Sequence, residues 1–176
     1  MDLWVYQELI CALKIDLLIE TGTAAGGTAL FFADLFERLG TGHVVSIDIR
    51  QREGRPIHPR ITYLTGSSLS RGVLDVVQQH FESASAVMAI LDSDHKAPFK
   101  LLELAAYAPF VTVGSYLIAE DTAFDHYPAF PEYGPGPAKA VAAFVAAHPE
   151  FQADRKMEKH LITFAPMAFL RKRASE

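Results

Sequence analysis

The chain has 176 residues, half of them hydrophobic and about a fifth charged, with a net charge of −5; that length suits one domain, expected over residues 1–176, with a full core. A mildly acidic balance leaves no footprint for nucleic acid, and no apolar run is long enough to span a bilayer. One cysteine, Cys11, excludes an intramolecular disulfide, and the start, Met1-Asp2-Leu3-Trp4, lacks the basic region of a signal peptide, so a cytoplasmic protein without nucleic-acid or membrane partners is expected.

Asp2 to Lys14 carries Leu3, Tyr6, Leu9, Ile10 and Leu13 at helical spacing, with Cys11 expected in the core. Ile15 to Ile19 is a short apolar strand. The small-residue turn Glu20 to Thr28 leads into a helix over Ala29 to Leu39, which Gly40 and Gly42 end. His43 to Ile47 is the next strand and stops at Asp48. A polar loop, Arg50 to Arg60, precedes a strand over Ile61 to Leu64 and then Gly66-Ser67-Ser68. Ser70 is placed to cap a helix bearing Val73, Val76, Val77 and Phe81. Ala86 to Leu91 is a strand, and Pro98 to Tyr107 a helix with Phe99 and Leu102 inward. Ser115 to Ala119 is a strand ending at Glu120-Asp121. The segment from Thr122 to Pro137, with Phe124, His126, Tyr127 and Phe130, has the length of a functional loop, and its Phe124 to Tyr133 part is expected to cover a substrate. A helix over Ala138 to His148 follows. Strands are expected at Phe151 to Asp154 and Leu161 to Phe164, with a third short piece at Met167 to Leu170.

Strand and helix alternate from Ile15 to Ala119, which argues for a parallel sheet covered by helices. In open α/β sheets, ligands bind beyond the carboxyl ends of the strands. Those ends carry Glu20, Asp48, Gly66-Ser67-Ser68, Asp92 and Glu120-Asp121. Glu20 to Gly26 reads acidic-x-Gly-x-x-x-Gly, in which Gly22 and Gly26 let a ligand approach the backbone. The acid before the first glycine would repel a pyrophosphate and suits an amino-bearing ligand such as the methionine part of S-adenosylmethionine. Asp48 can accept both hydroxyls of a ribose, and Ser67 and Ser68 can meet an adenine edge. Asp92, Asp94, Glu120 and Asp121 are hard oxygen ligands of the kind Mg²⁺ or Ca²⁺ takes, with Asp94 the weakest candidate. His95 is placed to act as a general base, and Lys96 is the weaker alternative.

Glu20-Thr21-Gly22-Thr23-Ala24-Ala25-Gly26-Gly27, Leu91-Asp92-Ser93-Asp94-His95 and Leu117-Ile118-Ala119-Glu120-Asp121 resemble the cephalosporin hydroxylase family, which includes rhamnosyl O-methyltransferases. Gly134-Pro135-Gly136-Pro137-Ala138 adds to the likeness. The resemblance implies a Rossmann-like class I methyltransferase fold: a mostly parallel seven-stranded sheet, an antiparallel C-terminal strand, and helices on both faces. It also implies S-adenosylmethionine and Mg²⁺ as cofactors and a layout similar to the catechol and caffeoyl-CoA O-methyltransferases. In that layout Asp92, Glu120 and Asp121 match the metal ligands. His95 stands where the catechol enzymes place a lysine base. Glu20, Gly22, Gly26, Asp48, Ser68 and Asp92 fall where the cofactor is held.

The expected activity is transfer of a methyl group to a hydroxyl of a small molecule such as a sugar or an antibiotic core. Relatives often carry more N-terminal sequence that caps the active site. A chain without that cap, and a homo-oligomer in which another subunit supplies it, both fit the sequence. Two rivals are an iron hydroxylase using His80-Phe81-Glu82 or His148-Pro149-Glu150 and a non-catalytic binding module.

Overall fold

The strand over Leu17–Thr21 (β1) is buried along its whole length, as a strand covered on both faces must be. It lies at the centre of the sheet, flanked by His43–Asp48 (β2) and Val87–Leu91 (β4), both parallel to it. Ile61–Thr65 (β3) pairs outside β2, and Tyr116–Ala119 (β5) outside β4. Phe169–Lys172 (β7) runs antiparallel to β5 and carries Phe151–Ala153 (β6) on its far side. The order is β3-β2-β1-β4-β5-β7-β6, the class I methyltransferase arrangement expected from the sequence. The computed structural model describes residues 2–126 and 134–174. Among them no helix is long and apolar enough to cross a membrane.

Among the described residues five α-helices cover the sheet: Asp2–Leu13 (α1), Gly27–Leu39 (α2), Arg71–Glu82 (α3), Ala97–Tyr107 (α4) and Pro137–Ala147 (α5). Helix α2 buries Ala29, Phe32, Ala33 and Phe36, spaced to share one face. Each phenylalanine removed from water there contributes roughly 1.5–3 kcal/mol. Helix α5 starts at Pro137, whose absent N–H is no loss in a first turn. Asp125 accepts the N–H groups of Gly136 and Ala138 at 2.6 Å each, joining the segment after β5 to the start of this helix.

Four sequence expectations change. Cys11 is exposed, because α1 buries Val5, Tyr6, Leu9 and Ile10 and the next position rotates outward. Ser70 flanks α3 but makes no side-chain capping bond. Leu161 to Phe164 is not a strand: Leu161 has φ +62 and is 94% exposed, and β7 supplies the pairing instead. Helix α4 has helical periodicity in a different phase, with Leu102 exposed and Lys100 and Glu103 buried. Of the loop expected to cover a substrate, Tyr127 and Phe130 lie outside the described residues.

Candidate active site

The strand order reverses between β1 and β4, and the carboxyl ends of these neighbours open into a crevice. The backbone closes tightly there: Asp92 N donates to Thr21 O at 2.9 Å and Gly22 N to Ile47 O at 2.8 Å. Gly22 sits at φ +90, and a Cβ on it would meet the Asp92 carbonyl oxygen at 1.9 Å. Only glycine allows this approach. The ends of β1 and β4 are thus held in contact by the absence of a side chain.

A cavity of about 520 Å³ opens over this junction, within the range of small-molecule and cofactor sites. Gly22, Asp48, Ser68, Asp92 and His95 all line it. Asp48 accepts the N–H groups of Ala24 and Arg50 at 2.8 Å each and pairs with Arg55 at 3.2 Å. Arg55 also donates to the carbonyls of Ala24 and Arg50, so it straps the loop after β2 onto the glycine turn. Ser68 is buried, and its Oγ has no hydrogen-bond partner. Such a group is costly inside a protein unless a ligand satisfies it. Tyr107 donates to the Ser68 carbonyl at 2.9 Å and fixes its backbone.

Glu20 and Gly26 do not line the cavity. Strand β1 runs through Thr21, two residues beyond its expected end, so Glu20 is paired within the sheet opposite Ser46 and Ile90. Its carboxylate accepts hydrogen bonds from Ser46 and Thr28. Burial raises its pKa, and these two hydroxyls oppose the rise. Gly26 is the N-cap of α2, in contact range of Tyr63 and Pro56. Both residues shape the turn from behind it.

Asp92, His95 and Asp121 bring one ligand atom each within 4.8 Å of one another. His95 Nε2 lies 2.6 Å from Asp121 Oδ2, and its ring stacks on Phe124 with centroids 5.5 Å apart. Asp121 has φ +62, which turns the chain directly after β5. Glu120 accepts a hydrogen bond from the Tyr6 hydroxyl of α1. Burial, then the charge of Asp121, pushes Asp92 up to about 7. Burial also pushes Glu120 up to about 8; the Tyr6 hydrogen bond lowers it and the Asp92 charge adds to the rise. Asp121 is raised by burial against the pull of His95. Mutually repelling, desolvated carboxylates beside an imidazole form a donor set that suits a divalent cation.

Asp94 has a local role: its Oδ1 accepts Lys96 N at 2.8 Å just before α4. Lys96 borders the cavity and is exposed. His80 stacks on His43, and His148 packs on Phe144 beside Glu150; among the described residues neither joins a metal-capable cluster of three.

Ile49 and Arg52 also line the cavity and were not read from the sequence, and Phe99, expected only to face inward, lines it too. Ile49 gave a signal: it is an apolar residue directly after a strand-ending carboxylate, and it is 71% exposed. The Tyr6 contact gave none, since it joins residues 114 positions apart.

The family model Rhamnosyl O-methyltransferase/CmcI matches residues 1–173. A rhamnosyl O-methyltransferase of Mycobacterium leprae (strain TN) is 34% identical over 175 residues, covering 96% of this chain and 76% of the relative. The rhamnosyl O-methyltransferase of Mycobacterium tuberculosis (strain ATCC 25618 / H37Rv) is 32% identical over 176 residues, covering 96% and 72%. A CmcI structure with Mg and SAM has a TM-score of 0.70 at 20% identity, over 97% of this chain and 70% of that one. The MycE methyltransferase from the mycinamycin biosynthetic pathway, in complex with Mg and SAH, has a TM-score of 0.60 at 18% identity, over 85% and 41%. At these identities the two structures speak for the fold.

Proposed function

The chain belongs to the rhamnosyl O-methyltransferase/CmcI family, and we propose that it transfers a methyl group from S-adenosylmethionine to a hydroxyl of a small molecule, with Mg²⁺ as cofactor. The observation that carries this reading is the junction of two sites at one crevice. The cavity with its unpartnered Ser68 hydroxyl borders the cluster of Asp92, His95 and Asp121.

In this reading Gly22 leaves room for the methionine end of the donor. Asp48 would face the ribose, Ser68 would meet the adenine edge, and Ile49 and Phe99 would supply apolar walls for the ring. Asp92 and Asp121 from the cluster, with Glu120 beside it, would hold Mg²⁺, which takes oxygen ligands; Glu120 is bonded to Tyr6 outside the cluster and would have to turn to the ion, and the preference for oxygen leaves the imidazole of His95 for proton transfer. When bound, the ion lowers the pKa of a hydroxyl that coordinates it, and S-adenosylmethionine supplies an activated methyl group. Asp121 orients His95 through Nε2, and the stacked Phe124 limits the ring's rotation. The protein contributes alignment of acceptor oxygen and methyl carbon, a large share of the barrier in such a transfer. A rhamnosyl hydroxyl, named in the relatives, is the first acceptor to assay.

Calorimetry with S-adenosylmethionine, with and without Mg²⁺, tests the reading. Binding of the donor, and turnover of an acceptor that stops on chelation, are expected. No donor binding in either condition would overturn it, and donor binding without any turnover would favour a binding module. Ser68→Ala is expected to weaken donor binding by roughly tenfold, the worth of about one hydrogen bond to a polar ligand, with the melting temperature unchanged or raised. Unaltered affinity would remove Ser68 from the donor site.

A further inference from the structure

The buried face of α4 carries two charges that the proposed chemistry does not use. Lys100 is 1% exposed and Glu103 is fully buried, and their side chains pair at 3.1 Å. As a stability device such a pair is poor, because desolvating two charges costs about as much as their attraction returns. What it holds is more informative. Lys100 Nζ donates to Leu91 O at 3.0 Å, the peptide just before Asp92. Both Glu103 oxygens lie within reach of the Ser93 hydroxyl, at 2.7 and 2.8 Å, the residue just after Asp92. Leu91 O also accepts the Glu120 amide at 3.0 Å. One ion pair therefore holds the Leu91 carbonyl before Asp92 and the Ser93 side chain after it, and shares an acceptor with the amide of Glu120.

We infer that Lys100 and Glu103 are positioning residues which, through Leu91 and Ser93, set the Asp92 carboxylate for the divalent cation. This rests on the metal reading above. Neither side chain touches the cavity; each acts through the strand end. The outer partners of a ligand fix its direction, and losing them typically lowers metal affinity about 10- to 100-fold. A strand end free to shift would also let Asp92 and Asp121 move apart, since their charges repel.

The test is metal binding, without acceptor. Glu103→Gln strands a buried lysine and risks misfolding, so the decisive variant is Ser93→Ala, which cuts the Glu103 link and keeps both the ion pair and the Lys100 bond to Leu91. Mg²⁺ affinity by calorimetry, and Mn²⁺ affinity by electron paramagnetic resonance, should fall at least tenfold in Ser93→Ala. Ser93→Thr, which keeps the hydroxyl, should bind within about threefold of wild type. Melting temperature serves as the control. If Ser93→Ala binds both ions like wild type, whatever its melting temperature, Glu103 has no positioning role, and the inference, which needs both residues, is wrong. If wild-type protein binds neither ion, the metal reading itself fails, and that is seen before any variant is made.

Discussion

Asp92→Ala is expected to lower kcat with Mg²⁺ by about a thousandfold or more, and to leave the small rate in chelator unchanged. Metal assistance to a reacting oxygen contributes several kcal/mol, and each ~1.36 kcal/mol is one decade of rate. Asp92 is the group to remove because the junction of β1 and β4 fixes it most tightly. Its amide is bonded to Thr21 and its carbonyl lies against Gly22. Asp121 keeps its contact with His95 in the variant, so residual metal binding falls on a displaced set of ligands. The substitution also removes a desolvated carboxylate that repels Asp121. The variant should therefore melt no lower than wild type in metal-free buffer. Rate, chelator titration and melting temperature together separate a lost ligand from a lost fold. Mg²⁺-stimulated turnover surviving in Asp92→Ala would overturn the ligand assignment.

The frame of this site was legible because it depends on local signals. Apolar runs ending at Asp48, Asp92 and Glu120 mark strands with charges at their tips, and the strands end at or within a residue of those positions. Gly22 was readable as a point of close approach, although its partner, the Asp92 carbonyl, was not. The features hidden in the sequence depend on what lies across space. Pairing with β2 and β4 extends β1 past Glu20, so its carboxylate meets Ser46 and Thr28. The phase of α4 was misread because burial was assigned to Phe99 and Leu102, whereas the inward positions are Lys100 and Glu103. A buried charge pair looks like solvent-facing charge in a sequence, and only its partners at Leu91 and Ser93 reveal it. Leu161 to Phe164 has strand composition, but the place beside β5 is taken by β7.

The metal-free protein is expected to lose stability as pH rises from about 4 to about 8, opposite to a protein whose carboxylates are salt-bridged. Asp92 titrates at about 7 when folded and Glu120 at about 8, both above their ordinary values of 3.8 and 4.5. A folded-state pKa above the unfolded one means that the folded chain holds its protons longer. The stability these groups contribute is complete below the ordinary carboxylate range and is lost as pH climbs through about 7 and 8. One unit is worth about 1.36 kcal/mol, so a shift near three units corresponds to on the order of 4 kcal/mol. The Asp92 charge raises Glu120, so their contributions do not simply add. Melting temperature in chelator, followed from about pH 5 to about pH 9, should fall, and Asp92→Asn should flatten the decline. Mg²⁺ competes with those protons, and a ligand of the folded state stabilises it by mass action. The rise in melting temperature on adding Mg²⁺ should therefore grow over the same range. A metal-free profile that is flat would mean that these carboxylates are not desolvated together. The expected pair of opposing slopes has one cause: the charges that weaken the empty fold at high pH are the charges that draw in the ion.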